Sequence, residues 1–98
     1  MTTERRLVAT KAFEKAYKKF ASKNHQLKSA IAKALIRLEK DAYDPALKTH
    51  KLSGNLAAYL ACSCGYDCRI VFLIEKDNDD PTAEIILLQD IGTHDDVY

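Results

Sequence analysis

Between Leu27 and Leu38 the residues Leu27, Ala30, Ile31, Ala34, Leu35 and Leu38 recur at the spacing of one face of an α-helix. An apolar stripe of that length has to be covered, and a chain of 98 residues can build one modest core and no more. Residues 1–98 are therefore expected to form a single domain whose remaining elements supply the cover. The helix should end by Asp44, because Pro45 disfavours a helical conformation in the residue before it. Upstream, Phe13, Ala16, Tyr17 and Phe20 form a second helical stripe, with Lys11, Lys15, Lys18 and Lys19 largely outside it. Thr10 is placed to cap that helix, and the weakly alternating Arg5–Ala9 before it reads as a short strand.

The second half changes period. Residues 45–56 have the composition of a surface loop. Ala57–Cys64 and Cys68–Lys76, the latter with Ile70, Val71, Phe72, Leu73 and Ile74, read as two strands of a hairpin punctuated by Gly65. An acidic turn, 77–82, leads to a last apolar strand, Ala83–Ile91, that Gly92 ends. The tail Thr93–Tyr98 is expected to be too short for an element and to pack back on the sheet through Val97 and Tyr98. The order is strand, helix, helix, strand, strand, strand: an α+β, two-layer domain with the helices on one sheet face. Strand order does not follow from these signals.

Charge is divided along the chain. Residues 1–51 hold thirteen Lys and Arg against five Asp and Glu, and residues 52–98 hold two against nine, so a polyanion would meet the first half. Lys11, Lys15, Lys18, Lys19, Lys23, Lys48 and Lys51 are the candidates to meet such a polyanion, either the phosphates of a nucleic acid or an acidic protein segment. The plainer alternative is that they solvate two helices. No apolar run approaches the roughly 18 residues of a membrane span, and residues 1–15 lack the block and cleavage pattern of a secretory signal, so a cytoplasmic location and no membrane partner are expected.

Cys62, Cys64 and Cys68 do not make a convincing metal site, since Cys-x-Cys along a strand would put two thiols on one face without an evident fourth ligand. In a reducing cytosol they read as small buried thiols, with disulfides disfavoured. No metal and no cofactor is expected.

Three strings carry a resemblance. His50-Lys51-Leu52-Ser53-Gly54, Gly65-Tyr66-Asp67-Cys68-Arg69-Ile70-Val71-Phe72 and Ile91-Gly92-Thr93-His94-Asp95-Asp96-Val97-Tyr98, in this order, resemble the RelE/ParE toxins and most of all their YafQ-like branch. The resemblance implies a RelE-like fold, a mostly antiparallel sheet against two N-terminal helices. It also implies a toxin that cuts mRNA on the ribosome and a cognate antitoxin that silences it. His50, Asp67 and His94 match positions that YafQ-like enzymes use in catalysis. Arg69 matches a phosphate-binding arginine of the RelE branch, and Tyr98 its C-terminal aromatic, expected to stack on or hydrogen-bond to the nucleotide. The chain departs at Ser63, where the YafQ-like pattern has a further histidine.

The chemistry needs such a kit. Metal-independent cleavage requires a base for the 2′-hydroxyl, a cation for the phosphorane and an acid for the leaving 5′-oxygen, which histidine and arginine supply. Each residue also has a plainer role. His50 and His94 could be solvated loop residues, Asp67 a turn former, Arg69 half of a structural ion pair and Tyr98 a packing plug, while His25 reads as surface. Two other functions stay open: a non-catalytic ParE-like topoisomerase poison, and a degenerate domain that only binds its partner.

Overall fold

The computed structural model describes residues 5–97. Five strands form one sheet in the order β1-β5-β4-β3-β2: β1 (Arg5–Ala9), β2 (His50–Lys51), β3 (Leu60–Gly65), β4 (Cys68–Lys76) and β5 (Glu84–Gly92). β1 lies parallel to β5, and every other pairing is antiparallel. Helices α1 (Lys11–Ala21) and α2 (His25–Lys40) follow β1, and a short helix α3 (His94–Val97) follows β5. The α+β architecture is the expected one, with two additions, β2 and α3.

Thr10 fixes the first joint as expected. Its hydroxyl accepts the Phe13 N–H at 3.1 Å and donates to the Leu88 carbonyl at 2.9 Å, which starts α1 and ties that start to β5. Asn24 caps α2, its Oδ1 accepting the Leu27 N–H at 2.9 Å. The helix stops at Lys40, where Arg5 donates to the Lys40 carbonyl at 2.8 Å. Asp41 and Asp44 then bend the chain by accepting the N–H groups of Tyr43 and Ala46, each at 2.9 Å. Both helical stripes pack on one sheet face, where Ile31, Leu38, Leu47, Ile70, Phe72 and Ile86 are fully buried.

The expected loop at 45–56 is more ordered than its composition suggests. Two 3-10 turns, Pro45–Leu47 and Gly54–Leu56, flank β2, whose His50 and Lys51 pair with Ala61 and Leu60. β3 accordingly begins at Leu60 and not at Ala57. The tail also corrects its expectation. Thr93 Oγ1 accepts the Asp96 N–H and Asp96 Oδ2 accepts the Thr93 N–H, both at 3.2 Å, a reciprocal cap that makes residues 94–97 a helical turn. As expected it packs back on the sheet: Val97 is buried, and a Cβ added at Gly92 would stand 2.9 Å from the Asp96 Cβ, so only glycine allows α3 this close.

Candidate active site on the uncovered sheet face

Strand alternation decides what faces away from the helices. Cys68, Ile70 and Phe72 of β4 enter the core, so Arg69 and Val71 point to the opposite face. Cross-strand partners share a face, and Arg69 pairs with Ser63 and with Gly92, while Ala61 pairs with Val71 and with His50. His50, Ser63 and Arg69 therefore belong to one face, the one that α1 and α2 leave open. From the strand spacing and rise, the Cα atoms of His50 and Arg69 are about 12 Å apart.

The far end of this face is assembled by the β3–β4 turn. Asp67 takes the left-handed conformation, φ 49°, and its Oδ1 accepts the backbone N–H of His94 at 3.1 Å. This bond joins the turn to the first residue of α3. His94 is thus the opening residue of a helical turn and not a loop residue; its side chain is 60% exposed, and its Nδ1 lies 3.7 Å from Asp95 Oδ1. Arg69, half-buried, donates from Nη1 to the Cys68 carbonyl at 2.9 Å and the Gly65 carbonyl at 3.4 Å. The guanidinium sits beside the strand pair that leads into His94.

At the other edge His50 is on β2, not on the loop that its sequence context suggests. Its Nδ1 is 3.1 Å from the Lys48 carbonyl, which can only accept, so in this contact Nδ1 carries the proton. In the neutral ring Nε2 then holds the lone pair. His50, Lys51, Leu52, Ser53 and Leu56 line an open hollow. Lys48, left-handed at φ 52°, and Lys51 flank the imidazole and are exposed.

The remaining basic residues lie elsewhere. Lys11, Lys15, Lys18 and Lys19 are exposed on α1, which covers the opposite face, and Lys23 is exposed just beyond it. Lys19 also lines a hollow with Asp90 and Asp96, an acidic neighbourhood. Of the seven expected lysines only Lys48 and Lys51 adjoin a candidate catalytic residue. Tyr98 lies outside the described residues. Ser63 is half-buried and its hydroxyl donates to the Gly65 carbonyl at 3.3 Å, so it braces the turn.

The cysteines correct the sequence reading. Cys64 and Cys68 form a disulfide across the turn, their Cα atoms 5.0 Å apart. Cys68 pairs with Gly65, and the register shift between Ser63 and Gly65 brings Cys64 within bridging range of it, a matter of hairpin geometry that the compartment argument left out. Cys62 is the free one; burial pushes its thiol up to about 12, against a smaller opposing pull from the Arg69 charge. A thiol so held stays protonated near neutral pH and is a poor nucleophile or ligand. Among the described residues no group of three or more His, Cys, Asp or Glu is placed to hold a metal ion.

A family model described as a bacterial toxin of type II toxin–antitoxin systems, YafQ, matches residues 5–98. The chain belongs to the YafQ toxin family. Solved structures agree on the fold. The YoeB/ParE toxin from Agrobacterium tumefaciens superposes with a TM-score of 0.73 at 15% identity, covering 91% of this chain and 98% of that one. YafQ in the Escherichia coli DinJ–YafQ toxin–antitoxin complex gives 0.70 at 18%, covering 97% and 98%. The YoeB–YefM complex from Staphylococcus aureus gives 0.67 at 20%, covering 91% and 95%. No curated protein matches the chain by sequence. In this YafQ-family chain no helix among the described residues is long and apolar enough to cross a membrane. Two features that sequence reading passed over are Thr93, whose spacing to Asp96 is a capping-box signature, and the uncovered Tyr66.

Proposed function

We propose that this toxin is a ribosome-dependent, metal-independent endoribonuclease that cuts mRNA in the cytoplasm and arrests translation, with residues 1–98 acting as one toxin domain. The observation that carries the reading is the clasp between Asp67 and His94, which seats a proton carrier beside the strands that present Arg69. His50 Nε2 accepts the proton of the 2′-hydroxyl, whose oxygen attacks the adjacent phosphorus. Arg69 turns its guanidinium from backbone carbonyls to the non-bridging oxygens and offsets the charge of the phosphorane. His94, protonated, delivers a proton to the departing 5′-oxygen. Asp67 acts as a positioning residue, because it holds the backbone of His94 and not the reacting atoms. Tyr98 is assigned to the nucleotide by family resemblance alone.

Lys48 and Lys51 carry the phosphates next to His50, and Lys11, Lys15, Lys18, Lys19 and Lys23 provide a second, more distant contact with the ribosome. The partner that silences the toxin is a cognate antitoxin. This assignment is supported by the E. coli and S. aureus relatives, which are found with DinJ and YefM respectively. No metal or cofactor enters the chemistry.

Primer extension on mRNA from purified translating ribosomes is the test. Discrete stops that depend on added toxin are expected. Their absence, with ribosome binding intact, would leave a pure binding protein, either a degenerate partner-binding domain or, if DNA supercoiling activity is blocked instead, a topoisomerase poison.

A further inference from the structure

Tyr66 occupies the tip of the β3–β4 turn with its side chain wholly in solvent, 101% exposed, beyond the other exposed large residues Ile36 and Tyr43 at 58% and 61%. The turn itself does not need a tyrosine. Its unusual backbone angles belong to Gly65, φ 139°, and Asp67, φ 49°, and Asn, Ser or Asp would serve the position between them as well. The turn is also braced at several points. The disulfide Cys64–Cys68 closes its base, Arg69 bonds the Gly65 and Cys68 carbonyls, Ser63 bonds the Gly65 carbonyl, and Asp67 is tied to His94. A bare aromatic ring therefore rides on a fixed mount, one Cα step, about 3.8 Å, from the residue that seats His94.

We propose that Tyr66 is a stacking platform for an unpaired nucleobase next to the scissile phosphate, an inference that rests on the ribonuclease reading. Every base has a π-face, so an aromatic ring binds single-stranded RNA without reading its sequence. Fixing the ring beforehand leaves less ordering to be done on binding. The flanking phosphate of the stacked nucleotide falls toward Arg69, three residues further along the chain, so base and phosphate are gripped by one hairpin. Tyr66 acts here as a positioning residue for the substrate and takes no part in proton transfer.

The experiment compares wild type with Tyr66→Ala, Tyr66→Leu and Tyr66→Phe, each as the full chain, in steady-state cleavage of mRNA on programmed ribosomes. Tyr66→Ala should lower kcat/KM about 5- to 150-fold, from the usual value of one base–aromatic stack, with the loss in KM and not in kcat. Tyr66→Leu should behave like Tyr66→Ala, because size without a π-face does not stack, and Tyr66→Phe should stay close to wild type. Thermal midpoints should not move, since the side chain touches nothing in the fold. Four outcomes would overturn the platform: unchanged kcat/KM in Tyr66→Ala, a loss confined to kcat, full activity in Tyr66→Leu, or a loss in Tyr66→Phe as large as in Tyr66→Ala. The same holds if Tyr66→Ala weakens only antitoxin binding. Wild-type toxin that cuts nothing would sink the ribonuclease reading and the platform together, whereas a cutting wild type with an equally active Tyr66→Ala sinks the platform alone.

Discussion

His94→Ala should fold, bind antitoxin and reach the ribosome as wild type does, yet cut mRNA about 100- to 10,000-fold more slowly, the usual worth of a positioned general acid. The expectation follows from how His94 is held. Asp67 grips its backbone N–H, Thr93 and Asp96 cap the same turn, and Val97 anchors it to the sheet, so α3 is set in place through its backbone and Val97. Alanine keeps every one of those backbone bonds. Stability should therefore change by no more than about 0.5 kcal/mol, as for most exposed substitutions. Single-turnover cleavage beside a thermal melt separates the two effects. A variant that cuts at the wild-type rate would move the acid role elsewhere, and one that fails to fold would make His94 a structural residue.

Arg69→Ala should slow cleavage about 100- to 1000-fold, the cost of removing one preorganised group that meets charge in the transition state. Its guanidinium bonds only to backbone carbonyls of its own turn and forms no ion pair with a carboxylate within the described residues. That arrangement leaves it able to exchange those carbonyls for phosphate oxygens. Arg69→Lys should recover only part of the rate, because an ammonium lacks the planar fork that spans two oxygens. Rates of single-turnover cleavage at saturating toxin report this directly. Equal rates for Arg69→Ala and wild type would return Arg69 to a purely structural brace of the turn.

What could be read from the chain was what repeats. The stripes of α1 and α2 and the apolar run of β4, whose bounds Cys68–Lys76 match, rest on many residues that agree. β2 escaped because two polar residues have no period, and their strand conformation comes from pairing with Ala61 and Leu60. α3 escaped for its length, although the Thr93-to-Asp96 spacing carried the signal. The site was legible as residue types and not as an arrangement. The bond from Asp67 to His94 crosses 27 positions, and it makes the carboxylate a clasp on the backbone of His94, which neither its match to a catalytic position nor its turn-forming character foretold. Likewise the charge division along the chain is real, but folding sends the α1 lysines to the covered face and leaves Lys48 and Lys51 beside His50. The Cys64–Cys68 bridge depends on a turn whose register no composition argument supplies.

The central claim is the chemistry, and the ends of the cut RNA test it most directly. Attack by the 2′-oxygen expels the 5′-oxygen, so purified toxin acting on translating ribosomes should leave a 5′-hydroxyl on the downstream fragment and a 2′,3′-cyclic phosphate, or the 3′-phosphate from its opening, on the upstream one. Replacing the 2′-hydroxyl at the cut position by hydrogen should abolish the cut. A 5′-phosphate on the downstream fragment, or cleavage of the 2′-deoxy substrate at an undiminished rate, would contradict the roles given to His50, Arg69 and His94.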